Sequence, residues 1–193
     1  LVNTIIYSLR VASLHYYMEK QHEIRSRLIQ EKQDINKLWK LAYTDMLTGL
    51  NNRQLFEKRL EEYAGYGSCI TLSFIDVNGL KTTNDQFGHL EGDVYLIDVS
   101  RILSEISSRL NMDLFRYGGD EFVMMGNGVT EPELAAALEQ ANEQLKSGPA
   151  RYPRSISYGV VRGDCTDYPS LIAEADDQMY QYKLKYYEKM ARS

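Results

Sequence analysis

The pattern of apolar and polar positions divides the chain into a long helical segment and a mixed body. Residues 1–42 contain neither Pro nor Gly, and two apolar heptad series run through them: Leu14, Leu28, Ile35 and Ala42, then Tyr17, Ile24 and Leu38. Polar residues interrupt both series, at Gln21 and Glu31. The pattern predicts an N-terminal helix that pairs two chains as a dimeric coiled coil. The alternative is a single amphipathic helix lying on its own domain.

A turn rich in capping residues and glycine follows at residues 44–50, and we place a domain boundary before it, at residue 43. A short helix is predicted from Asn51 or Asn52 to about Gly65. The apolar run from Cys69 to Ile75 predicts a buried strand that ends at Asp76. A polar, glycine-punctuated segment covers residues 82–93, and a helix with regular apolar spacing follows it.

The second half of the body predicts a hairpin, a helix, a strand and a last helix. The hairpin joins apolar runs at residues 114–116 and 122–125, and the next helix covers residues 131–145. Residues 155–161 alternate as a strand, and apolar residues stripe the segment 172–186. An α/β (α+β) fold is therefore expected, with a central antiparallel-rich sheet and surrounding helices.

Composition indicates one globular domain with an appendage, since 193 residues can bury a good core. The two cysteines, Cys69 and Cys165, have no metal-ligand spacing, which favours free thiols in the cytoplasm. Because the chain begins with Leu, we expect a fragment of a longer protein, with room for an upstream sensor or a membrane segment that would anchor this cytoplasmic part.

Charge is distributed unevenly between the two parts. Residues 1–42 hold seven basic and four acidic residues, a balance of +3, and the remainder holds fifteen and twenty-three, a balance of −8. An acidic body argues against a nucleic-acid polymer as partner. It does not argue against a single nucleotide held through metal ions.

The stretch from Arg116 to Phe122 carries the candidate chemistry. Gly118 and Gly119 predict the hairpin turn, and the acids Asp120 and Glu121 begin the second strand, where both are poor strand formers. Taken alone, the stretch is equally compatible with an ordinary polar loop. If the strand ending at Asp76 pairs with the hairpin, three carboxylates converge. Clustered carboxylates need a cation, and oxygen ligands suit Mg²⁺.

Glycines and lysines complete this picture. A backbone without Cβ lets phosphate approach at Gly118 and Gly119. Lys81 and Lys183 supply positive charge for a phosphate tail. The chemistry predicted from these residues is metal-assisted phosphoryl or nucleotidyl transfer.

Several motifs in order make residues 43–190 resemble the GGDEF domain, the catalytic domain of bacterial diguanylate cyclases. They are Asp45-Met46-Leu47-Thr48-Gly49-Leu50-Asn51-Asn52-Arg53, Asp76-Val77-Asn78, Lys81, Asn84-Asp85, Gly88-His89, Gly92-Asp93, Arg116 to Phe122, Ala175-Asp176, Met179-Tyr180 and Lys183. The resemblance implies a fold akin to nucleotide cyclases and polymerase palms. It also implies that two GTP molecules, one on each subunit of a homodimer, condense into cyclic di-GMP with release of two pyrophosphates.

The resemblance also implies roles for individual residues. Mg²⁺, with Mn²⁺ as a substitute, would be held by Asp76, the Val77 carbonyl and Asp120. Glu121 would assist at the metal or act on the 3′-hydroxyl, and we count it with Asp76, Asp120 and Lys81 as catalytic. The substrate-binding residues would be Gly118 and Gly119 at the phosphates, Asn84 and Asp93 at the guanine edge, and Lys183 at the phosphate tail.

Three departures from the family pattern leave an alternative open. Asn78 stands where many members carry a second Asp, and Met112 stands where the product-inhibition motif ends in Asp after Arg109. The last helix carries Tyr187 where an Arg is usual. The alternative is a catalytically weak or inactive module that binds GTP or cyclic di-GMP and acts as a regulatory dimerisation domain.

Overall fold

A single uninterrupted helix, α1 (Val2–Tyr43), accounts for the first of two units, Leu1–Ala42 and Tyr43–Ser193, into which the chain divides. The computed structural model describes residues 2–67, 69–149 and 151–191. The predicted long helix is confirmed. The six large heptad side chains are all more than half exposed in the single chain, from 52% at Ile24 to 66% at Leu38. Among the described residues, every helix is too short or too polar to cross a membrane.

The second unit alternates helices and strands. Its elements are β1 (Asn51–Asn52), α2 (Arg53–Gly65), β2 (Cys69–Val77), α3 (Leu80–Phe87), α4 (His89–Leu110), β3 (Asp113–Arg116), β4 (Glu121–Gly126), α5 (Glu131–Ser147), β5 (Ile156–Asp164), a 3₁₀ turn (Cys165–Asp167) and α6 (Tyr168–Ala191). The strands form one five-stranded sheet in the order β1-β3-β4-β2-β5. Only the β1–β3 pair is parallel among the described strands; the other three pairs are antiparallel. The predicted antiparallel-rich sheet with surrounding helices is therefore confirmed.

β2 lies between β4 and β5 and is covered on both faces. Every residue of β2 after Cys69 is buried, which explains its continuous apolar run. On one face, Ile75 packs with residues of α4 and α5. On the other face, Phe74 packs with residues of α2 and α6. Since side chains alternate along a strand, Asp76 shares the face of Phe74, the face that α6 covers.

Close packing of α6 on β5 depends on Gly159. A Cβ at this position would lie 2.1 Å from the Ala175 carbonyl oxygen and 2.6 Å from the Met179 nitrogen. Because glycine has no Cβ, the backbone of α6 can approach β5 closely. The glycine that weakens β5 as a sequence pattern thus brings the last helix against the centre of the sheet.

The structure adds elements that the apolar pattern did not predict. α3 and the first turn of α4 occupy the polar segment 82–93, with Gly79 before α3 and Gly88 between the helices, both at positive φ. Leu80 and Phe87 are the only large apolar residues of α3, which are too few to show a helical period in the sequence. The strand boundaries also shift: β2 continues through Asp76 to Val77, and Asp120 lies in the turn before β4.

Candidate active site

The end of β2 meets the start of β4, and this register brings the predicted acids together. Asp76 pairs with Glu121 across the two strands. The Val77 N–H donates to the Asp120 carbonyl oxygen at 3.0 Å, which continues the ladder into the turn. β2 ends where β4 begins, so the acids lie beside the turn of the β3–β4 hairpin.

The hairpin turn is shaped by its two glycines in different ways. The Tyr117 and Gly118 N–H groups both donate to the Glu121 carbonyl oxygen, at 2.8 and 3.3 Å. A Cβ at Gly118 would lie 2.9 Å from Glu121 Oε2, so the glycine leaves room for this carboxylate. A Cβ at Gly119 would face open space, which leaves the Gly119 backbone accessible to a ligand.

Arg116 fixes the turn to the loop that precedes β1. Its guanidinium donates to the Gly119 carbonyl at 2.7 Å and to Asp45 Oδ1 at 2.9 Å. Asp45 also accepts from the Thr48 N–H and hydroxyl, at 2.9 and 2.7 Å. Burial alone would raise the Asp45 pKa, but the hydrogen bonds from Thr48 and Arg116 outweigh it and lower this pKa. Arg116 is a positioning residue whose contacts the sequence alone did not predict.

Asp76 is the most buried of the acids, at 5% exposure. The Lys183 Nζ lies 2.7 Å from both of its carboxylate oxygens but is in hydrogen-bonding geometry only with Oδ2. Oδ1 is buried without a hydrogen-bond donor. Burial has the largest effect on the Asp76 pKa and raises it, Lys183 lowers it, and the charges of Asp120 and Glu121 raise it again, so that the net shift is upward. The charge of Lys183 therefore does not fully offset the cost of burying a charged Asp76 carboxylate.

The environment of the neighbouring Glu121 also disfavours the charged form of its side chain. Burial raises its pKa first, and the charges of Asp120 and Asp176 raise it further. In the described part of the chain, no three His, Cys, Asp or Glu side chains are grouped so as to enclose a metal ion by themselves. The donor set nevertheless fits a hard cation, because a main-chain carbonyl and substrate oxygens usually complete such sites. Asp76 Oδ1 has an ion pair with Lys183 but no hydrogen bond, and it is one atom that such a cation would contact.

A second predicted group lies on α3 and the start of α4. The Asn84 side chain covers Gly92, where a Cβ would lie within 1.9 Å of Asn84 Oδ1. Gly92 therefore makes room for the Asn84 amide, and Asp93 is the next residue along α4. Asn84 and Asp93 are both partly buried. Lys81, in the first turn of α3, is exposed and makes no hydrogen bond or ion pair within the residues described.

The three departures have different structural consequences. Asn78 is buried, donates to Ser155 Oγ at 3.0 Å and accepts from Ser157 Oγ at 2.9 Å, so its amide ties β2 to β5. Met112 is buried in the core. The Tyr187 hydroxyl accepts a hydrogen bond from the Gly79 N–H at 3.3 Å, a contact that sequence reasoning did not predict.

Three comparisons with known proteins bear on this site. DgcP of Escherichia coli (strain K12), named a diguanylate cyclase, is 31% identical over 176 residues, covering 84% of this chain and 51% of DgcP. PdeB of Shewanella oneidensis, named a cyclic di-GMP phosphodiesterase, is 33% identical over 141 residues, covering 70% of this chain and 16% of PdeB. The chain spans about half or less of the length of these curated relatives.

Among solved structures, the coiled coil and GGDEF domain of DgcB from Caulobacter crescentus, in complex with c-di-GMP, superposes with a TM-score of 0.78. The match covers 86% of this chain and 93% of that one at 22% identity, a likeness of fold. The family described as "Diguanylate cyclase, GGDEF domain" matches residues 42–189, which include the whole site. The chain therefore belongs to the GGDEF-domain family.

Proposed function

We propose that this chain is a diguanylate cyclase, which condenses two GTP molecules into cyclic di-GMP and two pyrophosphates. The observation that carries the proposal is the convergence of Asp76, Asp120 and Glu121 where β2 ends and β4 begins, with the Asp76 carboxylate buried against Lys183. The pKa values of Asp76 and Glu121 are raised by burial and by neighbouring acids, and perturbed values of this kind cluster at functional sites. The name of DgcP supports the same activity.

Mg²⁺, or Mn²⁺ in its place, would be held by the Asp76 and Asp120 carboxylates and the Val77 carbonyl, with Glu121 alongside. It would supply charge neutralisation for the triphosphate. In each half-reaction, the 3′-oxygen of one GTP attacks the α-phosphorus of the other, and the bond to pyrophosphate breaks. Glu121, whose pKa burial raises, is suited to accept the proton of the 3′-hydroxyl.

The backbone and the lysines would position the triphosphate. The accessible backbone at Gly119, and at Gly118 beside it, would lie against phosphate oxygens. Lys81 is exposed at the start of α3, and Lys183 already lies in the site at Asp76. Their ammonium groups would offset the charge of the leaving pyrophosphate.

Asn84 and Asp93 would select guanine. A carboxylate accepts from guanine N1–H and N2–H, whereas an amide both donates and accepts. Their proximity across Gly92 supports a shared contact with one base. Adenine would leave these groups unpaired, with discrimination on the order of 10⁴-fold by analogy with other polar pockets.

A homodimer is required because each domain would bind one GTP, and the attacking hydroxyl belongs to the GTP of the other subunit. The exposed heptad series of α1 supports pairing through this helix, since apolar positions exposed at this spacing are typical of a coiled-coil seam. We therefore assign residues 1–42 to a signalling and dimerisation helix and residues 43–193 to the catalytic domain.

A second candidate is a catalytically weak module that binds GTP or cyclic di-GMP for regulation. Tyr187 supports it, because this neutral side chain contacts the β2 end at Gly79, where a cation would help to bind phosphate. The name of PdeB supports it too, since a chain with a related segment carries a different named activity.

Incubation of the purified chain with GTP and Mg²⁺ separates the two candidates. A cyclase releases pyrophosphate and cyclic di-GMP in a ratio of two to one. A regulatory module binds a GTP analogue or cyclic di-GMP but releases neither product. Omission of the divalent cation, with EDTA present, is the matched control.

A further inference from the structure

Two side chains of α6 reach the end of β2 from the same side of the helix. Lys183 and Tyr187 are four residues apart and therefore lie one turn apart on one face. The Lys183 ammonium pairs with Asp76 at 2.7 Å, and the Tyr187 hydroxyl accepts the Gly79 N–H at 3.3 Å. The helix thus contacts the strand end and its loop at two points, one ionic and one neutral.

The Gly79 N–H differs from the two N–H groups before it. Those of Val77 and Asn78 donate to main-chain carbonyl groups, each at 3.0 Å. That of Gly79 donates to a side chain, Tyr187, which is 45% exposed and lies on α6, outside the sheet. Gly79 stands at the N-cap of α3, where N–H groups point outward and favour a negatively charged partner.

The ionic contact occupies the atoms that a metal would need. Asp76 cannot offer the same two oxygens to the Lys183 ammonium and to a divalent cation. Lys183 would then need another anion if a divalent cation were bound, and a triphosphate in the site would supply one. Lys183 therefore has a favourable partner both before and after nucleotide binding. Tyr187 has a favourable partner only before nucleotide binding, because a phosphate oxygen would compete with its hydroxyl for the Gly79 N–H.

We propose that Lys183 and Tyr187 form a two-point latch that closes the β2 end in the nucleotide-free protein, and that Tyr187 is the part of the latch that opposes nucleotide binding. This inference rests on the proposed function, because it takes the β2 end as the place of the metal-bound triphosphate. Opening the latch breaks the hydrogen bond between Tyr187 and Gly79 and frees the N–H for a phosphate oxygen. Tyr187 thereby lowers nucleotide affinity without touching the reacting atoms.

The Tyr187→Phe variant tests the latch, since it removes the hydroxyl and keeps the ring. Calorimetry of the full chain with a non-hydrolysable GTP analogue and Mg²⁺ should give a Kd about two- to tenfold lower than in the wild type, the range expected for one hydrogen bond. Tyr186→Phe makes the same chemical change at the adjacent position and should leave the Kd unchanged. In the nucleotide-free protein, hydrogen exchange at Gly79 should be faster in Tyr187→Phe than in Tyr186→Phe.

The outcomes separate the latch from the proposed function. If the wild type binds the analogue and Tyr187→Phe binds it equally or more weakly, the latch is overturned and the proposed function stands. If the wild type and both variants fail to bind the analogue with Mg²⁺, the proposed function and the latch are both overturned. Tighter binding by Tyr187→Phe together with faster exchange at Gly79 supports the latch.

Discussion

Asp76 and Glu121 are cross-strand neighbours in the antiparallel pairing of β2 with β4. Like charges at such positions repel, and burial raises the pKa of both side chains. The pairing therefore opposes stability in the metal-free protein. A cost of this kind is expected where carboxylates are retained for binding a cation rather than for packing.

Loss of one carboxylate should abolish the reaction and leave the fold intact. We expect Asp76→Asn and Asp120→Asn each to lower turnover by more than about 100-fold, because even outer-shell partners of metal ligands contribute 10–100-fold. Circular dichroism should match the wild type, and thermal unfolding should remain a single cooperative transition. Asp167→Asn, an exposed acid in the 3₁₀ turn, is the control and should retain full activity. Wild-type activity in either site variant would remove that residue from the metal site.

The raised pKa of Glu121 means that the stability of the protein should depend on pH through this side chain. A folded-state pKa above the ordinary value means that stability is present at low pH and is lost as pH rises through the folded pKa. Glu121→Gln avoids this loss, so its unfolding free energy relative to the wild type should increase from about pH 4 to pH 7. Urea unfolding of the metal-free protein at several pH values measures the difference.

Glu174→Gln, on an exposed position of α6, controls for the general effect of removing an acid. A difference between Glu121→Gln and wild type that does not change with pH, or that falls as pH rises, would show that Glu121 is not held in the unfavourable environment described.

The Asp45–Arg116 pair predicts the opposite pH dependence. The Asp45 pKa is lowered, so its stabilising contribution is present above the ordinary Asp value of 3.8 and is lost as pH falls through the folded pKa. Asp45→Asn should cost about 1.5–3 kcal/mol near pH 7, the range for hydrogen bonds to charged groups. Urea unfolding should show this difference narrowing below pH 3.8. A pH-independent effect of the substitution would contradict the ion pair.

The strong apolar patterns predicted most of the fold. β2 and the helix carrying Leu96 to Leu110 are visible in the sequence because burial imposes a clear period on them. The sequence did not predict α3 and β1, because an eight-residue helix with two large apolar residues and a two-residue strand offer too few apolar positions to show a period. Gly159 interrupts the alternating pattern of β5, and no local pattern in the sequence shows that α6 packs against it.

The motif residues predicted where the candidate site lies, whereas they did not predict the contacts that hold the site together. Asp76 and Glu121 were expected to converge, and pairing of β2 with β4 brings them together. The contacts of Arg116 with Asp45 and of Tyr187 with Gly79 join residues 71 and 108 positions apart. Such contacts depend on tertiary packing, which a single sequence does not specify locally.

The role of α1 as a dimerisation helix is tested by truncation. A chain that begins at residue 43 should be largely monomeric, and its specific activity should rise with protein concentration, because two domains must meet for each reaction. The full chain should be dimeric with a nearly constant specific activity. Sedimentation and activity are measured over the same concentration range. Equal activity of both forms at low concentration would show that the helix does not set the active dimer.

The identity of the product tests the central claim most directly. The full chain is incubated with Mg²⁺ and equimolar GTP and ATP, and the cyclic products are identified by mass spectrometry. With Asn84 and Asp93 selecting guanine at both halves, we predict cyclic di-GMP as the product, with two pyrophosphates released for each molecule. A mixed cyclic product would contradict the assignment of the guanine site. Bound GTP that remains unconverted, with no cyclic product, would contradict the cyclase itself.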